Sequence, residues 1–281
     1  MFNKNIEIIK RFHNSHLKAK SRIMFSHNGA LMLAVILFSV ILPGGSHARS
    51  AGGEQTPQSG ESILRKVDQN LSSKNRVFES SMIIHGRRST RTITSKSWSE
   101  GDKKSFSEYL SPAAEAGTKM LKLEGQLWIY TPSADRTIQI SGHMLRQSVM
   151  GSDLSYEDMM DDRKLTDTYD SKVVSKDTLD GRDVLVLELT ARVTDVAYHR
   201  QKMWIDAERF VPLRQEMYAK SGQLLKRMEL KDVERIQGRW FPKTMIYKDM
   251  LKEGKGTEFR MTKIQFDKQI PAHIFTKASL R

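Results

Sequence analysis

The chain has 281 residues and carries 46 Lys and Arg against 33 Asp and Glu, a formal net charge of +13, with no Cys. The lack of Cys excludes disulfides, thiol nucleophiles and Cys metal sites. The basic residues are spread along the chain rather than clustered, which indicates a solvated surface and no nucleic-acid interface.

The N-terminal residues have the pattern of an export signal. Residues 30–42 form an apolar run behind a basic leader, too short to cross a bilayer core of ~30 Å comfortably as a helix. Residues 46–48 supply the small-x-small pattern of a signal-peptidase site. We therefore expect residues 1–48 to be a cleaved signal peptide and the protein to be periplasmic. Cleavage after Ala51, translation from Met24 and an uncleaved anchor are the alternatives.

A short polar segment separates this signal from the folded part. Residues 49–60 are rich in Gly, Ser, Gln and Pro, which predicts a flexible tail. From Ile63 onwards apolar residues recur at i, i+1, i+4 and i+8, the spacing of one helix face. We expect a helix of about three turns that starts at Glu61 and lies against a sheet, and one domain over residues 61–281.

The rest of the chain alternates as strands do. Alternation predicts strands at 77–86, 87–101, 103–112, 118–125, 126–132, 136–141, 172–179, 182–193, 201–206, 211–220, 223–234, 239–251 and 255–266. Hairpin turns are predicted at Asp180-Gly181, Ser221-Gly222, Gln237-Gly238 and Glu253-Gly254. This order predicts an α+β fold whose dominant antiparallel sheet curls strongly, because so many strands in one meander do not stay flat.

Residues 144–162, here called the central loop, interrupt the alternation. Gly151, Ser152 and Asp153 are turn and helix-cap types, and apolar residues follow at roughly helical spacing with acids on the other side. We predict a short mobile helix on a loop, and the alternative is an ordinary connection between strands.

The motifs of the common enzyme classes do not occur. The sequence has no G-x-S-x-G elbow, P-loop, Rossmann fingerprint or H-E-x-x-H. The histidines after the signal are far apart, and the acids of the central loop lack EF-hand spacing. The enzyme classes that carry these motifs therefore find no support, and we expect neither a metal nor a cofactor.

Met and aromatic residues are distributed through the predicted strands, as in a core or around a cavity. One helix and the central loop leave much of the apolar face of the sheet to cover, so a cavity is expected. Strand parity predicts that its lining includes Leu121, Leu123, Trp128, Tyr130, Trp204, Leu213, Met217, Met228 and Leu230. A single β-bulge would invert every later assignment.

Several segments resemble the LolA-like family of outer-membrane lipoprotein-sorting proteins. They are ILRKVDQNL, YLSPAAEAGTKMLKL, LWIYTPSADRTIQIS and LRQSVMGSDLSYED, with residues 127–132, 136–141 and 150–158 as the specific blocks and Trp204, Asp206, Pro212 and Phe241-Pro242 beyond them. The resemblance covers residues 61 to about 275. It implies a LolA/LolB-like half-open β-barrel that is closed by short helices and holds acyl chains.

The resemblance also implies a function. The expected protein is a monomeric, non-enzymatic periplasmic carrier, or chaperone, that moves the acyl chains of lipoproteins or other lipids towards the outer membrane. An inner-membrane permease and an outer-membrane acceptor are its expected partners, because the similar branch occurs near large export permeases. One alternative is a lipid-directed hydrolase that uses Ser152, Asp153, Ser155 and Asp158 of the central loop. The other is an envelope scaffold that docks a permease.

The central loop is also predicted to act as a gate. Gly151 permits unusual torsions, Ser152 or Asp153 can cap the helix, and apolar side chains then face the cavity mouth. The apolar residues are Leu154, Met159 and Met160. Arg136 and Arg146 are expected to hold the closed state by donating to loop carbonyls or to Glu157 and Asp158, with solvent exposure as the alternative.

Overall fold

The computed structural model describes residues 58–281, except residues 87, 102 and 162. The described helices are α1 Gly60–Leu71, α2 Tyr156–Met160 and α3 Leu165–Thr168. Short 3₁₀ turns occupy Pro132–Ala134, Gly142–Arg146, Val149–Gly151, Ala272–Phe275 and Lys277–Leu280. The predicted signal peptide, its cleavage site and most of the predicted tail lie outside the described residues.

The described strands coincide with the segments that alternation predicts. They are β1 Asn75–His85, β2 Thr90–Glu100, β3 Lys104–Ser111, β4 Lys119–Leu123, β5 Gln126–Thr131, β6 Arg136–Ile140, β7 Tyr169–Leu179, β8 Arg182–Ala191, β9 Arg200–Asp206, β10 Pro212–Tyr218, β11 Leu224–Ile236, β12 Arg239–Asp249 and β13 Gly256–Phe266. All pair antiparallel in one sheet of 13 strands, which confirms the predominantly antiparallel fold with few helices.

The strand order explains where the central loop lies. The order across the sheet is β6-β5-β4-β3-β2-β1-β13-β12-β11-β10-β9-β8-β7, so β1 pairs with β13 and the edge strands are β6 and β7. Since β6 and β7 are consecutive in the chain, the segment between them joins the two edges of the sheet. The central loop therefore runs across one face, which we call the inner face.

Helix α1 covers part of the inner face. Its Ile63, Leu64 and Val67 are buried in one cluster with apolar residues of β7, β8 and β9. The Ser59 hydroxyl accepts a hydrogen bond from the Ser62 N–H, 3.2 Å away, and so caps the helix.

The predicted flexible tail is wrong at its last two residues. Ser59 caps α1, and the helix begins at Gly60 rather than Glu61. A Cβ on Gly60 would lie 2.7 Å from the carbonyl oxygen of Ser171 on β7, a contact that no Cβ tolerates. Glycine therefore lets the start of α1 rest directly on the backbone of β7.

The opposite face of β1 to β5 is covered by the C-terminal segment, residues 267–281. The side chains that meet there, the outer cluster, are Val77, Phe106, Leu121, Trp128, Ile270, Phe275 and Leu280, with Trp98, Leu123, Tyr130 and Ile274 packed against them. The Lys277 ammonium lies 4.1 Å from the Trp128 ring centroid, a cation–π distance. This end of the sheet is therefore apolar on both faces.

Candidate functional site

A cavity of about 990 Å³ lies between the inner face, α1 and the central loop. This volume is at the upper end of the range of roughly 300–1,000 Å³ for small-molecule sites. Its apolar wall is formed by Phe78, Met82, Met228, Leu230, Phe241, Met245, Phe259 and Met261. A second wall, the serine wall, is formed by Ser95, Ser97 and Ser99 of β2 with Ser105 and Ser107 of β3.

Helix α2 of the central loop has a complete capping box. The Ser155 hydroxyl accepts from the Asp158 N–H, and the Asp158 carboxylate accepts from the Ser155 N–H at 2.7 Å. The prediction that Ser152 or Asp153 caps this helix is therefore wrong. The cap lies two or three residues later, because Ser152 and Asp153 are used to attach the loop to other parts of the chain.

Asp153 attaches the central loop to the β12–β13 hairpin. Its carboxylate accepts from the Thr257 hydroxyl at 2.8 Å and from the Asp249 N–H at 2.9 Å. The Asp153 N–H in turn donates to the Thr257 hydroxyl at 2.9 Å. All these groups are buried or nearly so, and this shielding from water strengthens the hydrogen bonds.

Three cations donate to backbone carbonyls of the central loop. Arg91 of β2 donates to the Met150 carbonyl. Lys122 of β4 donates to the Met160 carbonyl at 2.8 Å, and Lys252 donates to the Ser152 carbonyl at 2.9 Å. Arg91 and Lys122 come from strands and Lys252 from the β12–β13 hairpin, so three separate parts of the fold hold the loop.

A further cation reaches the carboxylate of α2. Lys226 of β11 forms an ion pair with Asp158, and the Tyr198 hydroxyl also donates to this carboxylate. Burial and then the Asp158 charge raise the pKa of Tyr198 far above its usual value. Burial, followed by the same charge, also raises the pKa of Tyr247. Both phenols are therefore neutral at physiological pH.

The structure places two of the nine predicted cavity residues in the cavity wall, Met228 and Leu230. Leu121, Leu123, Trp128 and Tyr130 instead belong to the outer cluster. The prediction inverted the faces of β4 and β5, since their alternate residues Met120 and Ile129 face the central loop.

The three remaining cavity predictions also lie outside the wall. Trp204 is on the opposite face, where Lys202 and Arg214 lie over its ring at 5.1 and 5.7 Å. Met217 is buried and Leu213 is half-buried, but neither lines the cavity. Pro212 and Gln215 of the same strand do line the cavity, and Leu213 lies at the register irregularity between Pro212 and Arg214.

The predicted gate residues are only partly brought together. Leu154, Met159 and Met160 pack against a buried cluster of β1 to β6, and Leu154 and Met159 also line the cavity. Gly151 has φ +72°, in the left-handed region that favours glycine.

The two predicted gate arginines do not hold the loop. Arg136 and Arg146 are exposed, and within the described part of the chain neither reaches a loop carbonyl, Glu157 or Asp158. Arg91, Lys122, Lys226 and Lys252 occupy the places expected for them. Those four are distant from the central loop in sequence, three on strands and Lys252 in the β12–β13 turn, so no local spacing predicts them.

The serine wall was also missed, although a signal for it exists. Ser95, Ser97 and Ser99 recur with period two, as do Ser105 and Ser107, and this places each set on one face of a strand. Strand pairing then aligns Ser97 with Ser107 and Ser99 with Ser105. Ser is a weak strand former, so this repetition is the feature that sequence reasoning could have used.

Two further findings concern the described residues alone. They contain no group of three or more His, Asp or Glu side chains that could hold a metal ion. None of their helices is long and apolar enough to cross a membrane.

Comparison with known proteins agrees with this geometry. A family model described as "Uncharacterized protein" matches residues 101–281. A DUF1329 family protein from Desulfovibrio piger is similar in structure, with a TM-score of 0.72 and 26% identity over 79% of this chain and 98% of that chain. No match was found among curated proteins.

Two other solved structures are similar over the same part of the chain. A LolA superfamily protein from Nitrosomonas europaea has a TM-score of 0.66 and 25% identity, covering 79% of this chain and 99% of that one. A domain from Vibrio parahaemolyticus, described provisionally as an outer membrane lipoprotein-sorting protein, has a TM-score of 0.69 and 23% identity over 79% and 97%. The chain therefore belongs to the family that the matching model describes, and it is similar in structure to a LolA superfamily protein.

Proposed function

We propose that this protein is a periplasmic carrier that holds the acyl chains of lipoproteins or other lipids in the cavity and moves them towards the outer membrane. The observation that carries the proposal is the cavity of about 990 Å³ with an apolar wall of Met, Leu and Phe side chains. Its relation to LolA-like proteins adds support, since the Vibrio parahaemolyticus domain is described provisionally as lipoprotein-sorting.

The proposal includes a sheet that curls into a half-open barrel. In the strand order β4 and β11 are six steps apart, which in a flat sheet is roughly 29 Å at about 4.8 Å per step. Yet Lys122 of β4 donates to Met160, and Lys226 of β11 pairs with Asp158 in the same short helix. Two lysine side chains reach such close neighbours more easily if the sheet bends around the helix.

The physical need for such a carrier is large. Exposing a sixteen-carbon chain to water costs about 0.8 kcal/mol per methylene, or roughly 13 kcal/mol in total. A protein that diffuses between two membranes must hide the chain, and an apolar cavity does so without any catalytic group.

The residues expected to act in the alternative function, a hydrolase, already form structural contacts within the protein. Ser152 is fully buried, and its hydroxyl contacts the backbone of Leu154. Asp153 is bound by Thr257 and Asp249, while Ser155 and Asp158 cap each other. Each of these groups stabilises the central loop, so we keep the non-enzymatic carrier as the proposed role.

An inner-membrane permease and an outer-membrane acceptor are the proposed partners, and the carrier is proposed to act as a monomer. The envelope scaffold is the remaining alternative. The two roles differ in one respect, because a scaffold needs only its outer surface, whereas a carrier also needs an apolar cavity.

Lipid bound to the purified, exported protein tests the proposal. Native mass spectrometry should detect acyl species, and a fluorescent fatty acid should bind. Met228→Glu, which places a charge in the cavity wall, should abolish this binding, whereas Lys231→Glu on the exposed face of the same strand should not. Absence of bound lipid together with no affinity for the fatty acid would overturn the carrier. If the Met228→Glu protein still docks a permease but carries no lipid, the cavity is needed for lipid carriage and not for docking.

A further inference from the structure

The serine wall is unusual for a cavity proposed to hold only hydrocarbon. Five serines from two paired strands face the cavity, whereas the opposite wall is built from Met, Leu and Phe. A purely apolar ligand would be held better by Val, Ile or Leu, which also favour strands. Hydroxyls in the wall of an apolar cavity are the kind of group that fixes the orientation of a ligand.

The hydroxyls of this wall keep capacity for a ligand. Ser97 and Ser107 are 2.8 Å apart, and Ser95 is 2.9 Å from Ser80 of β1. Each hydroxyl has one donor and two acceptor lone pairs, so one hydrogen bond between two hydroxyls leaves a donor and several lone pairs unused. The pairs are therefore able to bind oxygen atoms of a ligand without being broken.

The strand register gives the cavity a polar end and an apolar end. Met82 pairs with Ile93 and Phe259 beside the central loop. Moving away from the loop along β1 and β2, the pairs become Ser80 with Ser95 and then Phe78 with Ser97.

The polar end lies at the start of β1. Arg76 pairs there with Ser99, which pairs in turn with Ser105. The Arg76 guanidinium lies 5.5 Å from the Phe78 ring and 5.7 Å from the Phe241 ring, so it is part of the cavity wall. Lys74 and Arg239 line the same end.

We propose that the serine wall binds the oxygen-bearing part of an amphiphilic ligand, the ester, amide or hydroxyl oxygens that join an acyl chain to its head group. The acyl chain then runs along the Met and Phe side chains towards the central loop. The ligand class is a lipid with a hydrogen-bonding linker, and a plain hydrocarbon in the same cavity gains nothing from the serine wall. This inference rests on the proposed carrier function, which it deepens by naming the ligand chemistry.

Two probes and two matched variants test the inference. The probes are monopalmitoylglycerol, which has ester and hydroxyl oxygens, and diphenylhexatriene, which has no hydrogen-bonding atom. Ser97→Ala/Ser107→Ala removes one hydroxyl pair of the serine wall. Thr94→Val/Ser111→Ala removes a similar pair, 2.6 Å apart on the same two strands, which does not line the cavity.

The Ser97→Ala/Ser107→Ala protein should bind monopalmitoylglycerol about ten- to thirtyfold more weakly than wild type, the loss expected for about two neutral hydrogen bonds. Its affinity for diphenylhexatriene should stay within about twofold or rise. The Thr94→Val/Ser111→Ala protein should bind both probes as wild type does. Since Ala is close in size to Ser, both variants should fold, and Ser99→Ala/Ser105→Ala is a second test at the polar end.

The possible failures are distinguishable. If wild type binds both probes and all variants bind monopalmitoylglycerol equally, the serine wall is only structural and the inference is overturned while the carrier stands. If wild type binds neither probe, the carrier proposal itself fails.

Discussion

Lys226 of β11 and Asp158 of α2 form an ion pair whose side chains are only 9% and 11% exposed. The pair lies where the central loop meets the sheet, and Tyr198 donates to the same carboxylate. A charge taken out of water this far requires its partner, since an uncompensated buried charge is strongly destabilising. The pair therefore fixes the position of α2 on the inner face.

Lys226→Met should lower the free energy of unfolding by about 3 kcal/mol, because it leaves the Asp158 carboxylate buried without its cation. The matched control is Arg227→Met, one residue along the strand. Arg227 pairs with Glu216 but is 41% exposed, so its loss should cost about 1 kcal/mol or less. Urea denaturation of both variants measures the difference. If both variants lose the same unfolding free energy, the buried Lys226 pair contributes no more to stability than the exposed Arg227 pair.

Alternation predicts the strands well because each strand is recognised from the pattern of its own residues. It predicts all of β1 to β13, and the Gly positions predict the hairpin turns. The pairing of β1 with β13 depends on contacts between the two ends of the folded chain, so no local pattern contains it. For the same reason the sequence does not reveal that β6 and β7 are edges joined by the central loop.

The cavity wall was harder to predict, for a physical reason. In β4 and β5 neighbouring residues such as Leu121 and Met120 are both apolar and both buried, so parity does not tell which one faces the cavity. The C-terminal segment creates this ambiguity, because it covers what would otherwise be a solvated face. Where only one face is apolar, as at Met228 and Leu230 of β11, the prediction is right.

The buried residues of the outer cluster, none of which lines the cavity, should therefore contribute to stability and not to lipid binding. Phe275→Ala removes a ring that is 5% exposed from this cluster and should cost about 3–5 kcal/mol of unfolding free energy. Its affinity for a fluorescent fatty acid, measured well below the unfolding transition, should be unchanged. Leu110→Ala is the control, since Leu110 is 49% exposed and its truncation should cost little. A folded Phe275→Ala protein with weakened lipid binding would place the outer cluster in the binding site.

Asp206 should make the fold sensitive to acid. Burial acts to raise the pKa of this carboxyl, but hydrogen bonds from Arg182 and from the Arg209 and Glu208 N–H groups outweigh it and lower the pKa below 3.8. A lowered folded-state pKa contributes stability that is complete above the unfolded pKa, near 3.9, and is lost as pH falls through the folded value.

Asp206→Asn should consequently destabilise the protein by about 1.5–3 kcal/mol at pH 7, the range for hydrogen bonds to a charged group. The gap between wild type and variant should narrow as pH falls below about 4. Denaturation at pH 7, 4 and 3 measures this gap. A gap that stays constant across these pH values would show that the ionised carboxylate is not the stabilising form.

The gate prediction can now be made with the residue that contacts the loop. Arg91 donates to the Met150 carbonyl, next to Gly151 with its left-handed backbone, whereas the exposed Arg146 makes no such contact within the described residues. Loss of this charge-assisted bond from a half-exposed arginine should make opening of the loop about three- to tenfold more frequent. Arg91→Ala should therefore speed amide hydrogen exchange across residues 147–161 and speed cargo release, with little change in thermal stability. Arg146→Ala, the control, should do neither.

If the loop closes over a filled cavity, bound lipid should slow the amide hydrogen exchange of the central loop in wild type. Equal exchange with and without lipid would remove the gate from the mechanism, even if Arg91→Ala loosens the loop.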